Sequence, residues 1–278
     1  MTTAFTAACV QMRSGIDPQA NIDQATRLIK EAVSAGAEYV QTPEMSNMVN
    51  GHRSSMMAAL RDEASDPMLA QFRDLARAHK IFLHAGSLAI KNGDKVANRA
   101  FVIGPDGDIM ARYDKIHLFD VDLPNGETWR ESNTYTGGQE AIAVDLPWAR
   151  LGLTICYDVR FPYLYRGLAQ AGCGILSAPA CFTRQTGEAH WSVLHRARAI
   201  ENSAFMISAA QAGVHEDGRE TYGHSMIIDP WGRVLAEADD QIGIIVAQID
   251  PAKVGEVRGR IPALKHTRNP KMPETAPA

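Results

Sequence analysis

Apolar and polar positions alternate between two rhythms along the chain. Residues 4–12 (Ala4 to Met12) are mostly apolar, which predicts a largely buried strand. From Ile22 the apolar positions fall at Ile22, Ala25, Leu28, Ile29, Ala32 and Val33, the 3.6-residue stripe of a helix that ends near Gly36. Residues 38–42 return as strand, and Pro43 stops it because proline has no N–H to give a ladder. Residues 66–79 predict a helix with Pro67 in its first turn, followed by strands over 81–90, 97–103 and 108–112. Helices are predicted over 162–171 and 188–202, the second with Trp191, Leu194 and Ala197 on one side. Strands are predicted over 151–155, 175–178, 204–210, 225–229, 234–238 and 243–249. A short helix follows Pro251, and a polar, loosely ordered tail occupies 269–278. Strands alternating with helices place the chain in the α/β class.

Two features interrupt this rhythm. Residues 116–140 have no sustained period and are rich in Asp, Asn, Gly, Thr and Pro; a loop that long in a compact domain is usually functional. Residues 103–111, with Pro105-Asp106-Gly107, are echoed by 228–236, with Pro230-Trp231-Gly232. Each reads as strand, proline–glycine turn, strand. Either the chain is two similar αβ halves that form one sandwich of two sheets, or these are unrelated hairpins of a common kind. No linker-like composition separates the halves, so residues 1–268 are read as one domain.

Composition narrows the classes. With 45% hydrophobic and 22% charged residues the chain can bury a core, which excludes intrinsic disorder. The net charge is −4 and the 28 basic residues are spread out, so neither nucleic acid nor an anionic membrane is an expected partner. The first residues lack the basic and apolar regions of a secretory signal, and the expectation is a cytoplasmic protein. Four irregularly spaced cysteines make neither a disulfide framework nor a zinc site. Cys9 and Cys173 read as small buried hydrophobes. Cys156 does not.

Glu44, Lys115 and Cys156 share one address, at or just beyond the carboxyl end of a predicted strand. Ligands of α/β folds gather there, so the three could meet in one crevice. A free cysteine is only a few per cent thiolate at neutral pH and needs a base or a nearby positive charge. Glu44 could take the proton and Lys115 could hold negative charge. A Cys–His pair using His117 or His190 remains open on spacing alone. No Walker A loop is present.

Three blocks carry a family resemblance: Thr42-Pro43-Glu44, the run Tyr113–Asp120 around Lys115, and Cys156-Tyr157-Asp158-Val159-Arg160-Phe161-Pro162. In this order they resemble the signature blocks of the nitrilase (carbon–nitrogen hydrolase) superfamily. The likeness continues through residues 187–191, 196–202 and 222–225 to Asp229-Pro230-Trp231-Gly232. It implies a four-layer α-β-β-α sandwich of two mixed sheets, a homo-oligomer, and a catalytic Glu44-Lys115-Cys156 triad. It also implies a second site glutamate, matched to Glu131 with Glu127 as the nearby alternative. The implied chemistry is hydrolysis of a small amide through a cysteinyl thioester, with no metal or organic cofactor. The block after Cys156 resembles the amidase branch that contains deaminated glutathione amidase and ω-amidase, with N-carbamoyl hydrolases more distant. Expected substrate contacts are Tyr157, Phe182 and Thr183, with Arg160 and Arg184 as candidate forks for a substrate carboxylate. The structural alternative pairs Arg160 with Asp158 or Glu201 and leaves Arg184 in solvent.

Overall fold

The structure, a computed structural model, describes residues 3–124, 126–268 and 270–273. The first half runs β1 (Phe5–Gln11), α1 (Pro18–Ser34), β2 (Tyr39–Gln41), α2 (Arg53–Ala59), α3 (Pro67–His79), β3 (Phe82–Asn92), β4 (Lys95–Ile103) and β5 (Ile109–Asp114). Asp17 and Asp66 start α1 and α3 by accepting from the backbone N–H groups of Gln19 and Leu69, each with proline at the first helical position. The aperiodic segment holds a ribbon, β6 (Asp120–Asp122) and β7 (Thr128–Arg130), a 3-10 turn at Glu131–Asn133, and β8 (Tyr135–Thr136) on the edge of β4.

The second half runs β9 (Ala143–Asp145), β10 (Arg150–Gly152), a 3-10 helix at Cys156–Arg160, α4 (Pro162–Gln170), β11 (Ile175–Ser177), α5 (Arg184–Asn202) and β12 (Phe205–Ser208). A second ribbon, β13 (Ala212–Val214) and β14 (Glu220–Tyr222), precedes β15 (Met226–Ile228), β16 (Val234–Glu237), β17 (Gly243–Ile249) and α6 (Ala252–Arg260). The tail expected over 269–278 lies mostly outside the described residues; 270–273 form neither helix nor strand. No described helix is long and apolar enough to cross a membrane.

The two main sheets have one plan. The first is ordered β17-β1-β2-β3-β4-β5 and the second β9-β10-β11-β12-β15-β16. In both, the second, third and fourth strands are parallel, and the outer pairings are antiparallel. The echoed hairpins are β4–β5 and β15–β16, in equivalent places, and each carries a register shift before its turn. The reading of two unrelated hairpins is therefore wrong.

Alternation along β1 shows why its sequence is apolar throughout. Phe5, Ala7 and Cys9 face the second sheet's core, while Ala8, Val10 and Met12 face α1 and α3. The layers are α1/α3, sheet, sheet, α4/α5. The α5 helix begins at Arg184, four residues before the predicted start, and its buried face adds His195, Arg198 and Asn202 to Trp191. Trp191 Nε1 donates to the His224 carbonyl at 2.7 Å, and Arg198 Nε donates to the Val159 carbonyl at 2.8 Å. Tertiary hydrogen bonds thus make polar residues acceptable on a buried stripe.

Candidate active site

Three strand ends deliver the central groups. Past β2, Thr42 N–H still pairs with the His84 carbonyl at 3.0 Å, then Pro43 ends the ladder and Glu44 turns inward. Past β5, Lys115 N–H pairs with the Asn98 carbonyl at 3.0 Å, and its own carbonyl accepts from Gly138 N–H at 2.8 Å. Past β10, extended Ile155 leads to Cys156, whose φ of 48° lies in the left-handed region. That conformation costs a non-glycine residue about 1–2 kcal/mol and is held by its surroundings. Cys156 N–H donates to the Pro179 carbonyl at 2.9 Å.

Asp158 fixes this elbow to the lysine loop. Fully buried, it accepts from Ile155 N–H (2.9 Å), Tyr113 Oη (2.6 Å) and His117 N–H (3.0 Å), and its Oδ1 lies 2.6 Å from His117 Nδ1. The same His117 ring stacks on Phe161 at 3.5 Å and bonds the Tyr163 hydroxyl. A Cys–His pair is therefore not what the fold builds: His117 is committed to Asp158, and His190 sits 3.3 Å from the Arg160 guanidinium.

The side chains meet. Glu44 Oε1 accepts from Lys115 Nζ at 2.9 Å and Asn98 Nδ2 at 2.8 Å, and Oε2 accepts from Cys181 N–H at 2.7 Å. The Cys156 thiol faces the same cavity and is electrostatically coupled to this carboxylate. Lys115 Nζ also donates to both oxygens of Glu131, at 3.1 and 2.9 Å. Glu131 accepts further from Asn98 Nδ2 (3.2 Å) and Phe119 N–H (2.6 Å). Of the two candidate second glutamates, Glu131 is the one on the lysine, whereas Glu127 bonds Trp129 Nε1 at 3.2 Å.

Electrostatics set the resting protonation. Burial pushes the Glu44 carboxyl up, but the Lys115 ammonium and the hydrogen bonds from Lys115, Cys156 and Asn98 overcome it, leaving the pKa below 4.5. Burial alone would lower Lys115; the charges of Glu131 and Glu44 raise it well above 10.5. Burial and the Glu44 charge push Cys156 well above 9.0, against the opposing pull of Lys115. At neutral pH the cluster is carboxylate, ammonium and thiol. Among the described residues, no group of three or more His, Cys, Asp or Glu side chains could hold a metal ion.

Glu44, Lys115, Cys156 and Glu131 line a cavity of about 200 Å³, together with Tyr157, Phe182 and Thr183. Arg160 and Arg184 do not line it. The Arg160 guanidinium lies over the Tyr157 and Phe182 rings, at 5.8 and 5.4 Å, and Arg184 is half-exposed beside Glu188 and Glu220. The alternative partners expected for Arg160 are also taken: Glu201 pairs with Arg198 at 2.8 Å, and Asp158 with Tyr113 and His117. Sequence reasoning missed Asn98, Trp129, Tyr135 and Arg219 in this site. Asn98 was the findable one, a polar residue in a strand whose flanking Val96, Ala97 and Ala100–Ile103 are apolar and buried.

This geometry can be set beside known proteins. A carbon-nitrogen hydrolase family model matches residues 6–259. The chain belongs to the carbon-nitrogen hydrolase family. Among its relatives, a deaminated glutathione amidase of Synechocystis sp. is 40% identical over 267 residues, 94% of this chain and 97% of that protein. The human omega-amidase NIT2 is 35% identical over 267 residues, 96% of each. The fold of this carbon-nitrogen hydrolase matches the Caenorhabditis elegans NitFhit protein with a TM-score of 0.89 and 37% identity, covering 96% of this chain and 66% of that one. The nitrilase-superfamily member Nit3 of Saccharomyces cerevisiae gives 0.84 and 28%, covering 93% and 94%. The protein is a hydrolase acting on carbon–nitrogen bonds other than peptide bonds, with the amidase-type α/β fold of that superfamily.

Proposed function

We propose that the protein is a thiol amidase that converts a small carboxylate-bearing amide to its acid through a thioester on Cys156. The observation that carries this reading is that Glu44, bonded to the Lys115 ammonium, lines one cavity with the Cys156 thiol and is electrostatically coupled to it. Glu44 takes the thiol proton as Sγ attacks the amide carbon. The oxyanion forms against Lys115 and the Tyr157 backbone N–H, because Cys156 N–H is already committed to Pro179. Glu44 passes its proton to the departing nitrogen, and ammonia or an amine leaves the thioester behind. Water then gives a proton to Glu44 and attacks the acyl carbon; collapse releases the acid and returns the proton to sulfur. Glu131 holds Lys115 in place by accepting from its ammonium with both oxygens.

Relatives named deaminated glutathione amidase and omega-amidase support two substrate readings. A deaminated glutathione-like amide is favoured by the stretch Ala210–Arg219, whose Arg219 reaches the cavity. An ω-amidase acting on α-ketoglutaramate or α-ketosuccinamate is the second reading. Ammonia or amine release across those amides, N-carbamoyl amino acids and nitriles tests both. Turnover of none of the amides by folded enzyme overturns the proposal. The same reading makes the protein a homodimer through the α4/α5 layer, where Tyr163, Val193 and Ile200 are exposed beside Trp231 of the β15–β16 turn.

A further inference from the structure

Among the described residues, the cavity is lined by four cations, and three of them are already engaged. Lys115 holds two carboxylates. Arg130 donates to the Val121 and Trp129 carbonyls and to Asp122, and Arg53 donates to the Asp94 carbonyl. Arg219 differs. Its Nε has no hydrogen-bond partner although it is buried, its Nη1 has only the Cys181 sulfur at 3.8 Å, and its Nη2 lies 3.6 Å from Asp217, beyond a good hydrogen bond. A guanidinium has five N–H donors in a planar fork, so most of this fork is unspent.

The fork is also preorganised. Its Cζ lies over the Trp129 ring, 4.6 Å from the centroid, and its side chain is only 19% exposed. Backbone bonds lock the β13–β14 turn below it: His215 N–H to the Arg219 carbonyl (2.8 Å), Gly218 N–H to the His215 carbonyl (2.9 Å) and Arg219 N–H to Asp217 Oδ1 (3.0 Å). His215 then ties the turn to the Ser14 carbonyl and Thr221. One residue spans the interval to the chemistry, since Cys181 gives its N–H to Glu44 and sets its sulfur against Arg219.

We infer that Arg219, stacked on Trp129, is the specificity-determining residue that binds a carboxylate on the acyl side of the substrate, a few bonds from the reacting carbon. This rests on the amidase reading above and names the part of the substrate that the site selects. Charge explains the polarity of binding. Two glutamates and one lysine make the Cys156 end net negative, which repels a substrate carboxylate, while the opposite end offers an unspent fork. The amide is thereby directed to Cys156.

The test compares glutaramate, the monoamide of glutaric acid, with neutral valeramide. For wild type, glutaramate is the better substrate. Arg219→Gln lowers kcat/KM for glutaramate by about 10- to 150-fold, chiefly through KM, while changing valeramide less than about threefold. Arg219→Lys recovers part of the loss, because charge returns without the fork. Should Arg219→Gln unfold, wild-type inhibition decides: glutarate must inhibit competitively at much lower concentration than valerate. Equal losses on both amides, a wild-type preference for valeramide, or equal inhibition by the two acids overturns the inference and leaves the amidase reading intact. Turnover of no amide by folded wild type overturns both.

Discussion

Pro43 and Pro179 sit at the same place in two sheets of one plan, each two residues past the end of the middle parallel strand, β2 or β11. The residue before each continues its ladder, Thr42 to the His84 carbonyl and Ala178 to the Ile207 carbonyl. The residue after each is different: Glu44 in the first half, Ala180 in the second. The first half also supplies Lys115, and the second supplies Cys156 and the Cys181 N–H that orients Glu44. Duplication explains the scaffold and where its crevice lies. On the proposed mechanism, the chemistry lies in the residues at which the halves differ, the first giving base and ammonium and the second the nucleophile.

Removing that difference has the largest expected effect. Glu44→Gln leaves Lys115 balanced by Glu131 and should fold, yet it deletes the proton acceptor on the first-half side. Cys156→Ser keeps shape and deletes the soft nucleophile on the other. Each should lower kcat by about 10⁴-fold or more, with thermal unfolding little changed. Ammonia-release rates within tenfold of wild type for either variant would contradict the assignment of roles.

Joining the halves wrongly comes next. Gly86 lies where they touch: a Cβ there would come within 2.0 Å of the Thr42 carbonyl oxygen, 2.5 Å of Pro179 Cβ and 2.9 Å of the Pro43 carbonyl carbon. None of these is a flexible side-chain end, so something in the backbone must move. Gly86→Ala should destabilise by about 3 kcal/mol or more and disturb the Glu44 turn as well. Gly255→Ala in α6, where a Cβ meets nothing within 4 Å, is the contrasting control and should leave stability equal or higher. Equal melting temperatures for the two variants would show that the halves are not locked at Gly86.

The comparison also separates what the sequence makes legible from what it hides. Both halves of the sheet plan follow from apolar runs and proline–glycine turns, because strands buried on both faces and tight turns leave local marks. Glu44, Lys115 and Cys156 are legible as strand-end residues for the same reason. Arg219 and Trp129 are not, because they come from two short ribbons whose contact is purely tertiary. Arg160 and Arg184 read as carboxylate forks only through nearness in sequence to Cys156 and to Phe182-Thr183, and the fold turns both away from the cavity. The α2 helix has no long amphipathic stripe and buries only Met56.

A smaller effect tests which half holds the proton at rest. The depressed Glu44 pKa favours the folded state above pH 4.5, and that contribution is lost as pH falls through the lower folded value. The raised Lys115 and Cys156 values act oppositely: their contributions are complete below 10.5 and 9.0, and are lost as pH rises toward the folded values. On the proposed mechanism, the thiol is deprotonated by Glu44 during attack rather than by solvent beforehand. Between about pH 6 and 8.5, kcat/KM should change less than about threefold, whereas attack by a free thiolate would gain nearly tenfold per unit. A steady rise over that interval would mean that Cys156 titrates independently.

The finest test compares the two echoed turns themselves. Gly107 and Gly232 take φ of 81° and 86°, and each offers its carbonyl to an arginine Nε of the helix covering its sheet, Arg73 of α3 at 2.8 Å and Arg196 of α5 at 3.0 Å. Alanine at either position carries the same left-handed penalty, about 1–2 kcal/mol. The steric surroundings are not the same. At Gly107 the new Cβ would lie 2.8 Å from the Arg73 carbonyl, which belongs to the helix backbone and cannot yield. At Gly232 the close atoms are Ile200 Cγ1 and Cδ1, at 2.5 and 2.6 Å, on a half-exposed side chain that can rotate away. Gly107→Ala should therefore lower stability more than Gly232→Ala, by about 1 kcal/mol in denaturant unfolding. The reverse order would mean that Ile200 is held as firmly as a backbone carbonyl, as it would be if a second protomer packed over it.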